Sequence, residues 1–270
     1  MIKMRMEFIF MAVLLVFASG CQVFGDVNSE KSSKIEEETW DLLWISDSSG
    51  WNVADIYGEF IAEDNQVEVR VNDMWKGGLS AGRILQGLTD QGTYDYDLDH
   101  LREYITESEV IVIYGNPEDS VDPSNPMAWN CGQSDLEDCY VTDCSPETFS
   151  TYVNDLKAIY AQIYEIRKGK PTIIRAIDAY NPRLVSHCQL DGVLDACVTC
   201  WETYNEAIQQ AADEMGVPVA RVFDAWNGMD HRENPVEKGY TQADNVHPNQ
   251  AGAEVIAQLL RDLGYEAMVP

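Results

Sequence analysis

The strongest constraint on the fold is a repeated alternation of short apolar segments with longer amphipathic ones. The apolar segments are rich in β-branched residues and have the length of buried strands; they span 40–45, 67–71, 110–114, 172–177 and 217–223. Segments with helical periodicity lie at 51–63, 79–89, 97–107, 147–167, 199–215 and 250–263. This alternation predicts an α/β fold, a three-layer α/β/α sandwich whose five-stranded parallel sheet has right-handed crossovers and helices on both faces.

The first twenty residues have the pattern of an export signal. Lys3 and Arg5 precede an apolar run at 8–18, which ends in small residues before Cys21. The run is too short to span a membrane, although a buried N-terminal helix would show the same hydropathy. Small residues followed by cysteine also resemble the lipobox of bacterial lipoproteins, whose cysteine is lipidated after cleavage.

These features predict the organisation of the whole chain. We expect a lipoprotein-type signal peptide at 1–20, a polar flexible tether at 21–38 and a single domain at 39–270. Lipidation of Cys21 would make the protein exported, and either anchored to the cell envelope or extracellular. It would touch a membrane only through that N-terminal lipid.

The remaining cysteines are even in number. Seven cysteines occur, and lipidation of Cys21 leaves six, in two groups: Cys131, Cys139 and Cys144, then Cys188, Cys197 and Cys200. An oxidising compartment favours disulfides, and two groups of three require at least one bridge between the groups if all six are paired. The alternative is a metal site that uses the Cys197-x-x-Cys200 pair.

The chain is strongly acidic, with a formal net charge of -28 at pH 7. This charge repels polyanions, so nucleic acid and anionic membrane surfaces are poor partners. Neutral sugars, small esters and cationic ligands remain compatible with it. The sequence does not fix the oligomeric state.

Polar residues and glycines follow the predicted strands where ligands bind in such sheets. Ser48 follows the first strand, Gly78 the second and Asn116 the third, and Asp244-x-x-His247 lies before the last helix. A carboxylate at this spacing can fix the tautomer of an imidazole and stabilise its protonated form, as a hydrolase requires. Taken singly, each of these residues could instead be a turn former, and Asp244 could cap a helix.

In order and spacing, these motifs resemble the SGNH family of GDSL-type hydrolases over residues 40–263. The matching segments are Ile45-Ser46-Asp47-Ser48, Gly78-Leu79-Ser80-Ala81-Gly82-Arg83-Ile84-Leu85, Gly115-Asn116 and Asp244-x-x-His247-Pro248. The resemblance implies a flavodoxin-like fold and a serine esterase that works through an acyl-enzyme, with no cofactor and no metal. Its implied triad is Ser48, His247 and Asp244, and its implied oxyanion hole is the amides of Ser48 and Gly78 with the side chain of Asn116.

Two residues depart from the family pattern. Ser46 replaces a glycine and Pro117 replaces an aspartate. They keep an alternative open, a catalytically decayed lipoprotein of this fold that binds carbohydrate.

The substrate is expected to be an ester with a short acyl group. Four tryptophans follow strand ends and could line the rim of the cleft, where indoles stack on sugar rings, or could simply pack the loops; they are Trp51, Trp75, Trp129 and Trp226. Long insertions at 117–146 and 178–199 both contain cysteines and are expected to cover the site. A narrow, covered site favours removal of small acyl groups such as acetyl from extracellular carbohydrate.

Overall fold

The computed structural model describes residues 38–89, 98, 100–117, 144–190 and 192–270, in which strands and helices alternate along the chain. The strands are β1 (Thr39–Ile45), β2 (Glu68–Asp73), β3 (Val110–Ile113), β4 (Ile173–Ile177) and β5 (Val219–Ala220). The helices are α1 (Val53–Asn65), α2 (Ala81–Thr89), α3 (Leu101–Glu107), α4 (Ser150–Ile166), α5 (Leu194–Met215), α6 (Val222–Asn227) and α7 (Gln250–Asp262). The predicted alternation is confirmed.

The five strands form one sheet in the order β2-β1-β3-β4-β5, with every neighbouring pair parallel. Helices cover both faces: α1 packs against α7, whereas α4 packs against α2, α3 and α5. The chain passes from β1 to β2 on one side of the sheet and from β3 to β4 on the other. The loops after β1 and β3 therefore diverge, and a crevice opens between them at the carboxyl ends of the strands.

The central strands form the core because their β-branched and aliphatic side chains are buried on both faces. Every residue of β3 and β4 is buried, and so are the last five residues of β1. Helices α1 and α7 contribute apolar faces that are also buried, including Val53, Ile61, Ile256 and Leu260. This core supplies a rigid base for the loops at the strand ends.

Two predicted strands differ from the structure. The segment at 67–71 was expected to be buried, but β2 is an edge strand and none of its residues is fully buried. The strand predicted at 217–223 ends at Ala220 in the structure, and residues 222 and 223 belong to α6 instead. That helix forms because Val222, Phe223 and Trp226 all bury on one face, and because the Asp178 carboxylate accepts a hydrogen bond from the Phe223 amide at 2.8 Å.

Two disulfides lie within the described residues, Cys144–Cys200 and Cys188–Cys197. The first joins the two cysteine groups, as expected. Cys197 and Cys200 belong to different disulfides, so the alternative of a metal site at this pair is wrong. Both cysteines lie on α5, which begins at Leu194, so the end of the insertion at 178–199 is helical.

Several predictions concern residues outside the described part of the chain. They are the export signal, Cys21, most of the tether, and the segment 118–143 with Trp129, Cys131 and Cys139. Among the helices that the structure describes, none combines the length and apolar character that crossing a bilayer requires.

Candidate active site

Ser48 lies on a short turn directly after β1. The turn Ser48–Gly50 is a single 3₁₀ turn capped by Asp47, whose carboxylate accepts a hydrogen bond from the Ser49 amide at 2.7 Å. Lys76 N donates to Ser46 O at 2.9 Å and fastens the start of the turn to the loop after β2. Ser48 is therefore held at the strand end, in front of the sheet.

Ser46, which departs from the family pattern, is fully accommodated in this turn. Its Oγ accepts a hydrogen bond from the buried Trp44 Nε1 at 2.8 Å and donates one to Asp47 O at 2.9 Å. The space for this hydroxyl exists because Gly50 has no side chain: a Cβ there would lie 2.2 Å from Ser46 Oγ. The extra hydroxyl is part of the turn rather than a distortion of it.

His247 lies between Ser48 and Asp244, although it is 199 residues from Ser48 in sequence. Its Nε2 is 3.0 Å from Ser48 Oγ, and its Nδ1 is 2.6 Å from Asp244 Oδ2. The other carboxylate oxygen of Asp244 accepts hydrogen bonds from the amides of Val246 and His247, at 2.9 and 3.1 Å. One imidazole thus joins a hydroxyl to a carboxylate.

The pKa of Asp244 reflects these contacts. Burial by itself would raise the pKa, but the hydrogen bonds from the His247 ring and from the amides of Val246 and His247 hold it below its usual range. The carboxylate therefore stays charged, and it can stabilise a protonated imidazole.

The loop that carries Asp244 and His247 is a tight turn closed by an antiparallel bridge between Thr241 and Pro248. Asn245 takes a left-handed backbone conformation with φ of 59°, which reverses the chain inside the turn. The N-cap of α7 is Asn249, whose side chain accepts from the Gly252 amide at 3.0 Å. The alternative that Asp244 caps this helix is therefore wrong.

The loops after β2 and β3 are joined by backbone hydrogen bonds, which bring Gly78 and Asn116 to the same edge as Ser48. Asn116 N donates to Leu79 O at 3.1 Å, and Ala81 N donates to Asn116 O at 2.8 Å. Gly78 has a φ of 68°, which favours glycine. Among the described residues, the backbone N–H groups of Ser48 and Gly78 donate no hydrogen bond to the protein, so both can donate to a ligand oxygen.

The side chain of Asn116 is buried and points to the turn that carries Ser48. Its Nδ2 donates to Asp47 Oδ2 at 3.4 Å. Burial raises the pKa of Asp47, and hydrogen bonds from Ser49 and Asn116 partly oppose this rise. Asp47 thus holds the carboxamide of Asn116, and Pro117 next to it does not turn the donor away.

Of the four tryptophans expected at the rim, the structure describes three, and only two of these lie beside the site. Trp51 is 36% exposed; its ring lies 6.3 Å from that of His247 and 5.9 Å from that of Trp75, so this pair borders the site. Trp226 is fully buried and stacks on Tyr180 with a ring separation of 3.8 Å, so its placement on the rim is wrong. Its position beyond a strand end does not specify side-chain direction, and helix α6 turns it inward. Trp129 lies outside the described residues.

Two buried tyrosines at this edge were missed from the sequence. Tyr152 Oη donates to Gly115 O at 2.7 Å, and Tyr180 Oη donates to Val246 O at 2.8 Å. These carbonyls belong to the residues directly before Asn116 and His247. Tyr180 lies three residues beyond β4, and that position was the available signal; no sequence signal marked Tyr152, which lies within α4.

This arrangement has the elements of nucleophilic acyl transfer. A hydroxyl next to an imidazole can lose its proton as it attacks a carbonyl carbon, and a carboxylate on the far nitrogen stabilises the resulting cation. Amide donors beside the attacked carbonyl can stabilise the oxyanion that forms. In the part of the chain that the structure describes, no cluster of three or more His, Cys, Asp or Glu side chains could hold a metal ion.

The chain is also similar to known proteins. The model of the family described as GDSL-like lipase/acylhydrolase matches residues 22–260. No curated protein matches the chain.

Several solved structures share the fold. The lipase Lip_vut3 from a goat rumen metagenome has a TM-score of 0.58 at 19% identity, over 84% of this chain and 98% of its own. A catalytic mutant of Axe2, an acetylxylan esterase from Geobacillus stearothermophilus, has a TM-score of 0.55 at 15% identity, over 85% and 96%. LAE5, an α/β hydrolase from a metagenome of Lake Arreo, Spain, has a TM-score of 0.53 at 17% identity, over 83% and 94%.

Proposed function

Because the chain belongs to the GDSL-like lipase/acylhydrolase family and is a serine ester hydrolase, we propose that Ser48, His247 and Asp244 are its catalytic triad. The observation that carries this proposal is the position of the imidazole, with Nε2 3.0 Å from Ser48 Oγ and Nδ1 2.6 Å from Asp244 Oδ2. Ser46 and Pro117 were the features that favoured a decayed, carbohydrate-binding protein. They no longer favour it, because Ser46 is hydrogen-bonded within its turn and Asn116, next to Pro117, is held by Asp47.

The proposed reaction has two steps. Ser48 Oγ attacks the ester carbonyl carbon while His247 Nε2 takes the hydroxyl proton, and His247 then gives this proton to the leaving alkoxide. Water attacks the acyl-enzyme while the same imidazole takes its proton, and the imidazole then gives this proton to Ser48 Oγ as the acid is released. In both steps the oxyanion accepts hydrogen bonds from the amides of Ser48 and Gly78 and from Asn116 Nδ2.

We propose short acyl groups, such as acetyl on carbohydrate, as the substrate class. An exposed indole at Trp51, next to the His247 ring and to Trp75, offers a face on which a sugar ring can stack. The net charge of -28 favours a neutral polymer over an anionic one. The acetylxylan esterase Axe2, which shares the fold, acts on a substrate of this kind.

We propose an extracytoplasmic location, with the chain anchored through a lipid on Cys21. The charged and apolar pattern of residues 1–20 supports export. The disulfides Cys144–Cys200 and Cys188–Cys197 also support it, because such bonds persist in oxidising compartments.

The triad is tested by a serine-reactive organophosphonate together with hydrolysis of a short-chain nitrophenyl ester. The wild-type protein should be labelled on Ser48, and Ser48→Ala should lose both labelling and turnover while its circular dichroism stays unchanged. The neighbouring Ser49→Ala variant is the matched control and should still be labelled on Ser48. Turnover retained in Ser48→Ala, or an adduct on Ser49, would contradict the assignment.

The substrate class is tested with Trp51→Ala on two substrates. Loss of a stacking platform should raise KM for acetylated xylo-oligosaccharides about two- to tenfold, since one stacking contact contributes about 0.5–1.5 kcal/mol. Hydrolysis of nitrophenyl acetate, which has no sugar, should change little. Trp40→Ala, at the first residues of β1 and so at the opposite edge of the sheet, serves as the control for tryptophan removal.

A further inference from the structure

Tyr180 makes a hydrogen bond that the proposed mechanism does not use. Its hydroxyl donates to Val246 O at 2.8 Å, and Val246 directly precedes His247. The ring is buried and stacks on the indole of Trp226 at 3.8 Å with an interplanar angle of 27°. The hydroxyl that contacts the His247 loop therefore belongs to a buried side chain whose ring is held in place by Trp226.

The backbone on each side of Tyr180 is fixed by a buried asparagine. Asn205 of α5 accepts from Ala179 N at 2.8 Å and donates to Ala179 O at 3.0 Å. Asn227 of α6 accepts from Asn181 N at 2.8 Å and donates to Asn181 O at 3.0 Å. Each carboxamide thus forms both backbone hydrogen bonds of one residue, as a neighbouring strand would, and two helices set the position of Tyr180.

The loop that receives this bond is less firmly supported. The side chains of Asp244 and His247 are 45% and 32% exposed. The hydrogen bonds of Asp244 lie within the loop itself, to Val246 and His247, and the local bridge of Thr241 with Pro248 closes the turn without connecting it to the sheet. A bond from a rigid, buried side chain to Val246 O supplies such a connection one residue before the imidazole.

We propose that Tyr180 is a positioning residue for the base: its hydroxyl holds the Val246 carbonyl and so keeps His247 Nε2 at hydrogen-bond distance from Ser48 Oγ. This inference rests on the proposed roles of Ser48 and His247. It adds that the orientation of the base comes from β4, α5 and α6, through a tyrosine, as well as from Asp244. The role is one of geometry, since the Tyr180 hydroxyl donates to the Val246 carbonyl and not to Ser48 or the His247 ring.

The test is Tyr180→Phe, which keeps the ring and its stacking on Trp226 but removes the hydroxyl. A misplaced base slows acylation without weakening ester binding, and a displacement of about 1 Å can cost about a hundredfold in rate. We expect kcat for a nitrophenyl ester to fall roughly 10- to 100-fold with KM within about twofold. The second-order rate of organophosphonate labelling of Ser48 should fall by a similar factor.

The matched control is Tyr164→Phe. Tyr164 of α4 also donates its hydroxyl to a backbone carbonyl, that of Met215 at the end of α5. Helices α4 and α5 run antiparallel to the strands they precede. Their carboxyl ends therefore lie near the amino ends of the strands, whereas Ser48 lies at the carboxyl ends. Tyr164→Phe should lower stability about as much as Tyr180→Phe, but should leave kcat unchanged.

The outcomes separate this inference from the proposed function. If Tyr180→Phe keeps kcat within about twofold of Tyr164→Phe while His247→Ala abolishes turnover, the triad stands and the positioning role is wrong. If kcat and KM change alike in both tyrosine variants, the bond is only structural and the role is also wrong. Wild-type turnover in His247→Ala would overturn the triad, and the positioning role with it.

Discussion

Asp47 is the residue that connects the turn carrying Ser48 to the loop carrying Asn116. Its carboxylate is buried, caps the 3₁₀ turn of Ser48 through the Ser49 amide and accepts a hydrogen bond from Asn116 Nδ2. Burial raises its pKa, and the hydrogen bonds that oppose this rise are the ones that fix its neighbours. A single buried carboxylate therefore positions two candidate oxyanion donors, the Ser48 amide and Asn116.

Removal of the Asn116 carboxamide should impair the transition state more than substrate binding. In Asn116→Ala we expect kcat to fall about 100-fold with little change in KM, because the donor acts on charge that develops during attack. Steady-state kinetics on a nitrophenyl ester measures this. Asn65→Ala, which removes an amide that bonds Ile61 O at the end of α1, controls for loss of an asparagine. A loss of only a few fold would leave the backbone amides of Ser48 and Gly78 as the sole donors.

Ser46 should contribute to stability through the indole it binds. Ser46→Ala leaves the buried Trp44 Nε1 without its acceptor, which should cost about 1–3 kcal/mol in the free energy of unfolding. Urea denaturation of Ser46→Ala, Trp44→Phe and the double variant measures the coupling of the pair. Purely additive effects would show that the hydroxyl and the indole do not stabilise one another.

Strands and helices of this protein differ in how far the sequence specifies them. The central strands were predictable, because long β-branched runs can be buried only inside a covered parallel sheet. The start of α6 was not, since Val222 and Phe223 fit a strand equally well; the helix is set by a hydrogen bond to Asp178 from a different element. The same limit applies to the site. Positions at strand ends predict Ser48, Gly78 and Asn116, but they do not predict which side-chain hydroxyls of other elements bind the loops of the site.

The two disulfides should contribute unequally to stability because they close loops of different length. The bridge Cys144–Cys200 spans 56 residues and Cys188–Cys197 spans 9. Chain entropy gives about 4 kcal/mol for the longer loop and about 2.5 kcal/mol for the shorter one. Cys144→Ala/Cys200→Ala should therefore be the less stable double variant in non-reducing urea denaturation. Equal losses would mean that folded-state contacts, not loop length, decide the effect.

At the scale of the whole molecule, several titratable groups stabilise the folded protein less as pH rises. Burial raises the pKa of Asp178 to about 7 and that of Asp73 to about 6. Burial would lower the pKa of His231, but hydrogen bonds to Asp224 and Glu202 outweigh it and raise the pKa. A raised carboxyl pKa means that the folded protein keeps a proton that the unfolded chain loses, and the stabilisation from His231 is lost as pH rises through its folded pKa.

We therefore expect the free energy of unfolding to decline as pH rises from about 4 to about 7, the interval between the unfolded and folded pKa of Asp178. Urea denaturation across this range measures it. Asp178→Asn keeps an acceptor for the Phe223 amide and removes the titration, so its profile should be flatter. Glu59→Gln, on the exposed face of α1, controls for the removal of one carboxylate. An identical slope in Asp178→Asn would exclude Asp178 as a source.

The wide separation of Ser48 and His247 along the chain has a consequence for synthesis. Ser48 belongs to the turn after the first strand, and His247 comes immediately before the last helix. A growing polypeptide therefore carries Ser48, the proposed nucleophile, for most of its length without His247, the proposed base. Hydrolytic activity should arise late and abruptly, when α7 docks against α1 and closes the sandwich, so that incomplete chains remain inert toward the esters around them.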